Sequence, residues 1–365
     1  MQELTKDWQR FDVKDPFNEN WVEGFISRHS GDDYGALMIS KVNGDKAPQL
    51  IYCTPKIAYP FDRQGDWHWP KAKVIERYEK LDGTNIFAFR YSDAKGKEYL
   101  SYKTRLMPFL QDSRFGPFQD MWKAMLKKIP LIEKLPWLLG MNLSWELWGA
   151  RNPHLVKYEV PLDVSLLFAR QGQSIYPPSQ LNHGAVPVLQ VPLRGRVDRD
   201  YVLNYEQAKG ELQAGLRELE DGYAGMEGEV WYLLDERGNW ILFKCKPETI
   251  ELIHWSAGGI GRNVIMATIE NAFENWDEPT VEQVKELLRE EFEEPVVEKA
   301  HFSIVKHLAE AMAKYEFQEK VLQAYRSLGM NILEDKRGVM RALSDQFARA
   351  EMGKVYAVIW AHTVK

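Results

Sequence analysis

Cysteine is nearly absent from this 365-residue chain: Cys53 and Cys245 are the only two, with neither metal-ligand spacing nor a disulfide framework. That excludes a disulfide-stapled scaffold and a thiolate metal cage. Long apolar runs are also missing, so a membrane-spanning helix is not expected. The opening segment, MQELTKDWQRF, is charged and has no apolar h-region. The expectation is a soluble, cytoplasmic protein in a reducing compartment, with no membrane partner. Positive charge does not dominate either. Lys and Arg number 47 against 53 Asp and Glu, a formal net charge of −6, which excludes coating nucleic acid through overall basicity. Internal repeats and low-complexity tracts are absent as well.

Aromatic residues are plentiful: 13 Trp, 16 Tyr and 16 Phe. Many must fill a core, and flat faces beyond that need suit stacking on nucleobases. Charge is unevenly spread. Residues 270–300 hold eleven Asp/Glu against three Lys/Arg, a local −8, which leaves about +2 for the remainder. A basic groove elsewhere is therefore compatible with the composition. Length alone favours two domains.

Residues 1–70 read as short strands and loops without a chemical motif. From 74 to 104 the alternation VIERYEKLDG, NIFAFRY and YLSYKT reads as strand, loop, strand and hairpin. Residues 117–139 take helical period, with Phe118, Met121, Trp122, Met125 and Leu126 on one face. Strands return over 143–170, a Pro- and Gly-rich surface excursion occupies 171–199, and 203–220 reads as helix. EGEVWYLLDERGNWILFKCK then reads as a hairpin. Beyond about 260 the pattern is helical: Thr280 and Gln283 form a capping box, and further helices are expected over 300–327 and 336–351. The fold class expected is α+β, an antiparallel-sheet domain over 1–260 followed by a mainly helical C-terminal domain over 261–365.

The stretch Glu79-Lys80-Leu81-Asp82-Gly83-Thr84-Asn85 carries the chemistry. A lysine nucleophile must give up its proton before it attacks, which burial or nearby cations favour. Gly83 permits a sharp turn beside a ligand. Asp82 is placed to bind a metal or orient an attacking hydroxyl. Lys244 and Lys246 alternate on one strand, so both side chains point to one face and suit a triphosphate. Glu227, earlier in the same hairpin, is a hard carboxylate suited to helping hold Mg²⁺.

Five segments in order resemble the covalent nucleotidyltransferase superfamily of ATP-dependent ligases and capping enzymes. EKLDGTN resembles its motif I and SYKTR, with Lys103 and Arg105, its motif Ia. SWELWG, with Glu146, is similar to motif III, MEGEV, with Glu227, to motif IV, and FKCKPE to motif V. The resemblance spans residues 80–246 and implies an ATP-grasp-like nucleotidyltransferase fold. It implies that Lys80 takes AMP from ATP, with Mg²⁺ (or Mn²⁺), and that Asp82, Lys244 and Lys246 take part in catalysis. It further implies that Glu146 binds ribose hydroxyls, Arg105 holds a phosphate, Glu79 meets the adenine edge, and Glu227 and Asp82 hold the metal. For the ring stacked on adenine, Phe168 is the candidate and Tyr158 the alternative.

Asn85 stands where the RNA ligases of this superfamily carry Asn and its DNA ligases and capping enzymes carry Arg. The helical C-terminal region, lacking the R-x-D-K element of an OB-fold, points the same way. An ATP-dependent RNA ligase joining 5′-phosphate and 3′-hydroxyl ends is the expectation, with RNA, an RNA/DNA hybrid or a nicked duplex as partner. The alternatives are a DNA ligase or guanylyltransferase with the same lysyl-nucleotide chemistry, and a catalytically silent nucleic-acid-binding relative. Secondary candidates are His154, more simply a turn histidine, and two basic clusters: Lys123, Lys127, Lys128 and Lys134, and Arg194, Arg196 and Arg199. Either cluster suits a phosphate backbone or an ordinary wet surface.

Overall fold

The alternation at the start of the chain folds into an antiparallel meander of β1 (Trp8–Lys14), β2 (Trp21–Ser27), β3 (Leu37–Val42) and β4 (Asp45–Ile51). The computed structural model describes residues 8–28, 31–62, 65–112, 116–197, 200–219, 222–255, 260–289, 292 and 294–363. The chain divides into two units, Met1–Ser256 and Ala257–Lys365. In the first, β5 (Ala72–Lys80), β6 (Thr84–Ser92) and β7 (Glu98–Lys103) lead into α1 (Phe118–Lys128) and α2 (Leu131–Leu139). Then come β8 (Asn142–Trp148), β9 (Asp163–Gln171), β10 (Ser174–Tyr176), α3 (Val186–Leu189), β11 (Leu193–Val197) and α4 (Tyr201–Gly215). A small hairpin of β12 (Arg217–Leu219) and β13 (Gly222–Ala224) precedes the longer hairpin of β14 (Gly228–Asp235) and β15 (Trp240–Cys245), and α5 (Glu248–Trp255) closes the unit.

Two antiparallel sheets, ordered β10-β9-β8-β6-β7 and β11-β5-β14-β15, carry the core. β6 is apolar on both faces because both are covered. Ile86 and Ala88 pack with Trp145 and Leu147 against α1 and α2. Phe87, Phe89 and Tyr91 turn the other way and share a core with Phe11, Val22, Leu37 and Ile39 of the N-terminal meander. Residues 8–51, to which the sequence assigns no role, are thus packed into the same unit. On the second sheet, Tyr78, Val230, Tyr232 and Leu242 share a core with Phe168 of β9. The opposite face, Ile75, Trp231 and Phe243, lies under Tyr205, Ala208 and Leu212 of α4.

Lys103, fully buried at 0% exposure, is a structural cation. Its ammonium donates to the carbonyls of Gly35, Thr104 and Arg105 at 2.8–2.9 Å and to Cys53 Sγ at 3.3 Å. It ties β7 to the meander. Burial lowers its pKa, and the carbonyls replace the water it has lost.

Several expected elements of the first unit differ, and the excursion expected over 171–199 instead supplies β10, α3 and β11, with Ile175, Val186 and Val191 buried. The helix expected over 117–139 is two helices, because Pro130 lacks an N–H and disfavours helical backbone at Ile129. The strand expected from Tyr158 starts only at Asp163, after Pro161. The helix expected to 220 stops at Gly215, where glycine lowers helix stability and β12 begins.

The second unit is helical: α6 (Arg262–Asn275), α7 (Val281–Arg289), α8 (Glu294–Lys299), α9 (His301–Leu328), α10 (Lys336–Leu343) and α11 (Met352–Thr363). Thr280 caps α7 as expected. Its backbone N–H donates to Gln283 Oε1 at 2.7 Å, and Gln283 N–H donates back to Thr280 Oγ1 at 3.3 Å. The helix expected over 336–351 ends at Leu343, and a 3₁₀ turn over Arg349–Glu351 joins it to α11. Within the acidic stretch, Glu290, Glu291 and Glu293 lie outside the described residues. Lys285 and Arg289 pair with Glu282 and Glu298, and Arg289 also with Glu294.

Candidate active site

Lys80 ends β5, and antiparallel register sets it opposite Gly228, the first residue of β14. Glu227, one residue earlier, is thereby delivered to the end of Lys80. The Lys80 ammonium donates to Glu227 Oε2 at 2.5 Å, and Lys246, just past β15, donates to Oε1 at 2.9 Å. Glu227 is 5% exposed. Burial pushes its carboxyl up, but Lys246 and Lys80 outweigh that and hold it down at about 2. The other MEGEV carboxylate, Glu229, points to the opposite face, where Arg77 grips it through two bonds of 2.8 Å.

The loop after Lys80 is clamped by the connection between β8 and β9. Asp82 N–H donates to Tyr158 Oη at 2.8 Å, and Asp82 Oδ2 accepts from Val156 N–H at 2.7 Å. Asn152 Nδ2 donates to Thr84 Oγ1 at 3.0 Å and to the Leu147 carbonyl at 2.8 Å. Gly83 passes so close to β8 that a Cβ there would stand 2.3 Å from the Leu147 carbonyl oxygen. Only glycine permits that approach. Burial and the Glu227 charge raise the Asp82 carboxyl, with His154 and Lys80 opposing. His154 sits within reach of the same charges, its Nε2 3.4 Å from Thr84 Oγ1, and burial lowers its pKa.

The facing sheet contributes Asn85 and Glu146, cross-strand partners on β6 and β8. Asn85 Nδ2 donates to Ser144 Oγ at 2.9 Å and to the Trp145 carbonyl at 3.1 Å. Its buried Oδ1 has no partner among the described residues. Ser144 Oγ lies 2.9 Å from Thr54 Oγ1. Burial pushes the Glu146 carboxyl up to about 8, with Glu227 and Asp82 adding to the rise and Lys80 and Arg105 opposing it. The Arg105 guanidinium lies over the Tyr34 ring, 5.6 Å from its centroid.

Lys80, Asp82, Glu146, Glu227 and Lys246 are thus gathered at one place, with Asn85 beside Glu146 and Arg105 within electrostatic range of it. Lys244 lies on the same face of its sheet, its ammonium 4.4 Å from the centre of the Tyr59 ring. Glu79 is not gathered with them. As the neighbour of Lys80 on a strand it faces the other way, and the charges acting on it are Arg194 and Glu229. Phe168 is packed in the core with Tyr78 and Val230. Tyr158 stands edge-on to Trp148, ring centroids 4.9 Å apart, with its hydroxyl committed to Asp82.

The basic clusters are partly engaged. Lys128 lies 3.8 Å from Asp163, and Arg196 donates to Glu76 at 2.9 Å. Arg199 lies outside the described residues. The residues that sequence reading missed are Thr54 and Tyr59 from the N-terminal region, and Asn152 from the clamp. Only Asn152, before a proline in a turn-forming run, left a local signal. Among the described residues no three His, Cys, Asp or Glu side chains gather as a metal cage. Nor, among them, is any helix long and apolar enough to cross a membrane.

No protein-family model and no curated protein matches the sequence. Solved structures do match. An archaeal ATP-dependent RNA ligase is 14% identical at a TM-score of 0.44, over 80% of this chain and 75% of that one. A proposed ATP-dependent DNA ligase from Aquifex aeolicus is 14% identical at 0.42, over 94% and 86%. A Naegleria gruberi RNA ligase, solved with ATP and Mn, is 18% identical at 0.35, over 55% and 64%. The similarity extends to RNA and DNA ligases alike.

Proposed function

We propose that the protein is an ATP-dependent polynucleotide ligase acting on RNA, with Lys80 as its nucleophile. The observation that carries this reading is the triad of half-buried Lys80 with buried Glu227 and Lys246, facing Glu146 across the two sheets. In the resting arrangement Lys80 Nζ is hydrogen-bonded to Glu227. A triphosphate entering the site supplies new anionic partners for Lys246 and Lys244, which loosens Glu227 from the nucleophile.

Lys80 then loses a proton to solvent or to a neighbouring carboxylate. Its Nζ forms a bond to the α-phosphorus of ATP as the bond to the pyrophosphate oxygen breaks. AMP on Lys80 passes to the 5′-phosphate of an RNA end, restoring the free amine. A 3′-hydroxyl attacks that activated phosphate, AMP leaves and the strand is sealed. A neutral carboxyl at Glu146 is suited to donate to a ribose oxygen. The chain offers Asp82 and Glu227 as hard ligands, which suits a Mg²⁺ or Mn²⁺ that brings phosphate and water ligands with it and draws charge from the α-phosphate.

RNA is favoured over DNA by Asn85 in place of arginine and by the helical second unit. Mass spectrometry after incubation with ATP and Mg²⁺ is expected to find one AMP adduct, absent from Lys80→Ala. Labelled GTP in place of ATP tests the guanylyltransferase alternative. Nicked duplexes with RNA or DNA on each side of the nick test the substrate, and sealing of all-DNA nicks at the RNA rate overturns the RNA assignment. An unlabelled wild type that still binds RNA overturns the ligase reading.

A further inference from the structure

The second unit carries an aromatic and cationic cluster far in sequence from Lys80 and the residues around it. On α11, Val355 and Ile359 are fully buried and anchor the helix to α9 and α10. Tyr356 and Trp360 follow each of them by one residue, so they line up one turn apart along the flank of the helix. Their rings stack with centroids 5.7 Å apart and planes at 30°. The Lys336 ammonium lies 3.8 Å from the centre of the Tyr356 ring. The result is a short pile of cation, phenol and indole, ending in a Trp360 that is 42% exposed. Beside it the outermost positions of the helix, Gly353, Ala357 and Ala361, are small and exposed. They leave the indole standing clear.

The sequence that supplies this pile is net basic. Between residues 326 and 362 there are six Lys/Arg against four Asp/Glu, in contrast to the −8 of residues 270–300. Three of the four acids are held locally. Asp335 accepts from Gly338 N–H at 2.8 Å, Glu334 accepts from Asn331 at 3.0 Å, and Glu351 accepts from Ala348 N–H at 3.1 Å. Arg326 and His362 lie within electrostatic range of each other, with His362 two residues past Trp360.

We propose that this flank of α11 is a stacking platform for single-stranded nucleic acid, with a base on Trp360 and phosphates near Lys336 and Arg326. A flat ring stiffened by a second ring and a cation is what an unpaired base offers its own face to. Basic side chains at both ends suit the phosphates on either side of that base. A duplex, with its bases already stacked, gains little here. The platform deepens the ligase reading by naming a single-stranded segment of the substrate, and it is tested without ATP.

Fluorescence anisotropy of a labelled oligouridylate with the full chain measures it. Trp360→Ala is expected to weaken binding about ten-fold or more, the range expected for one lost base stack. Trp360→Phe is expected to retain most of the affinity and Trp360→Leu to lose it, because flatness rather than apolarity is required. Lys336→Gln should lower the slope of affinity against salt by about one phosphate contact. AMP transfer to Lys80 should be unchanged in all four.

Equal binding by Trp360→Leu and wild type overturns the proposal. So does a Trp360→Ala variant that keeps its RNA affinity but changes its mass by light scattering, which makes the face a protein contact. Trp360-dependent binding without any AMP adduct would sink the ligase reading and leave the platform standing. An AMP adduct with Trp360-independent binding would do the reverse.

Discussion

Glu227 is the carboxylate on which the resting site balances, and Glu227→Gln tests that role without changing side-chain shape. In the wild type its two oxygens separate the ammonium groups of Lys80 and Lys246. An amide in its place can accept from one lysine, but its NH₂ then faces the other. Holding this carboxyl at about 2 instead of the ordinary 4.5 corresponds to roughly 3 kcal/mol of folding stability at neutral pH. Removing one member of a buried charge cluster typically costs about 3–5 kcal/mol, the same order.

The sign follows from linkage. A carboxyl with a depressed folded-state pKa contributes stability above 4.5, and that contribution drains away as pH falls towards 2. About 1.4 kcal/mol of it should be gone by about pH 3.5. Urea unfolding of the two proteins across pH 3.5 to 7, followed by tryptophan fluorescence, measures the difference. The gap should be about 3 kcal/mol at pH 7 and narrow towards acid. A gap below about 1 kcal/mol, or one that does not change with pH, would refute the argument that Glu227 is held ionised by its two lysines.

Glu146 should behave with the opposite sign. Its folded-state carboxyl lies near 8, above the ordinary 4.5, so its stability contribution is full below 4.5 and lost as pH rises towards 8. Glu146→Gln should flatten that fall by up to about 4–5 kcal/mol, seen as a smaller difference between unfolding curves at pH 5 and pH 8.5. Gly83→Ala places a Cβ 2.3 Å from the Leu147 carbonyl and should cost roughly 1–3 kcal/mol of stability. It should also abolish the AMP adduct proposed for Lys80, because the turn that follows Lys80 must move. Lys103→Met leaves the Gly35, Thr104 and Arg105 carbonyls without their donor and should cost about 3 kcal/mol or more. Thermal denaturation checks it, and unchanged melting would contradict a structural role for that lysine.

Much of the first unit was legible because alternation is a local signal. β5, β6, β7 and the β14–β15 hairpin all follow from period-two patterns that survive into the fold. The meeting of Lys80 with Glu227 was less direct. It depends on β5 pairing with β14 in a register that sets Lys80 against Gly228, and no stretch of either strand announces its partner. Thr54 and Tyr59 were out of reach for the same reason, since their places beside Ser144 and Lys244 are decided by how the meander docks.

Glu79 is a different case. Strand alternation already separates it from Lys80, and the resemblance that paired them speaks of a family rather than of this strand. The breaks at Pro130 and after Leu343 show the usual weakness of helical periodicity: it marks which face is apolar and is silent about where the axis turns.

The docking of the N-terminal meander has a practical consequence. Lys103 reaches up to Gly35, Thr54 touches the serine that orients Asn85, and Tyr59 cradles Lys244. A shortened protein beginning at residue 72 would keep every recognisable motif and still be missing part of its own floor. Boundaries drawn around motifs alone would cut through the machinery they were meant to isolate.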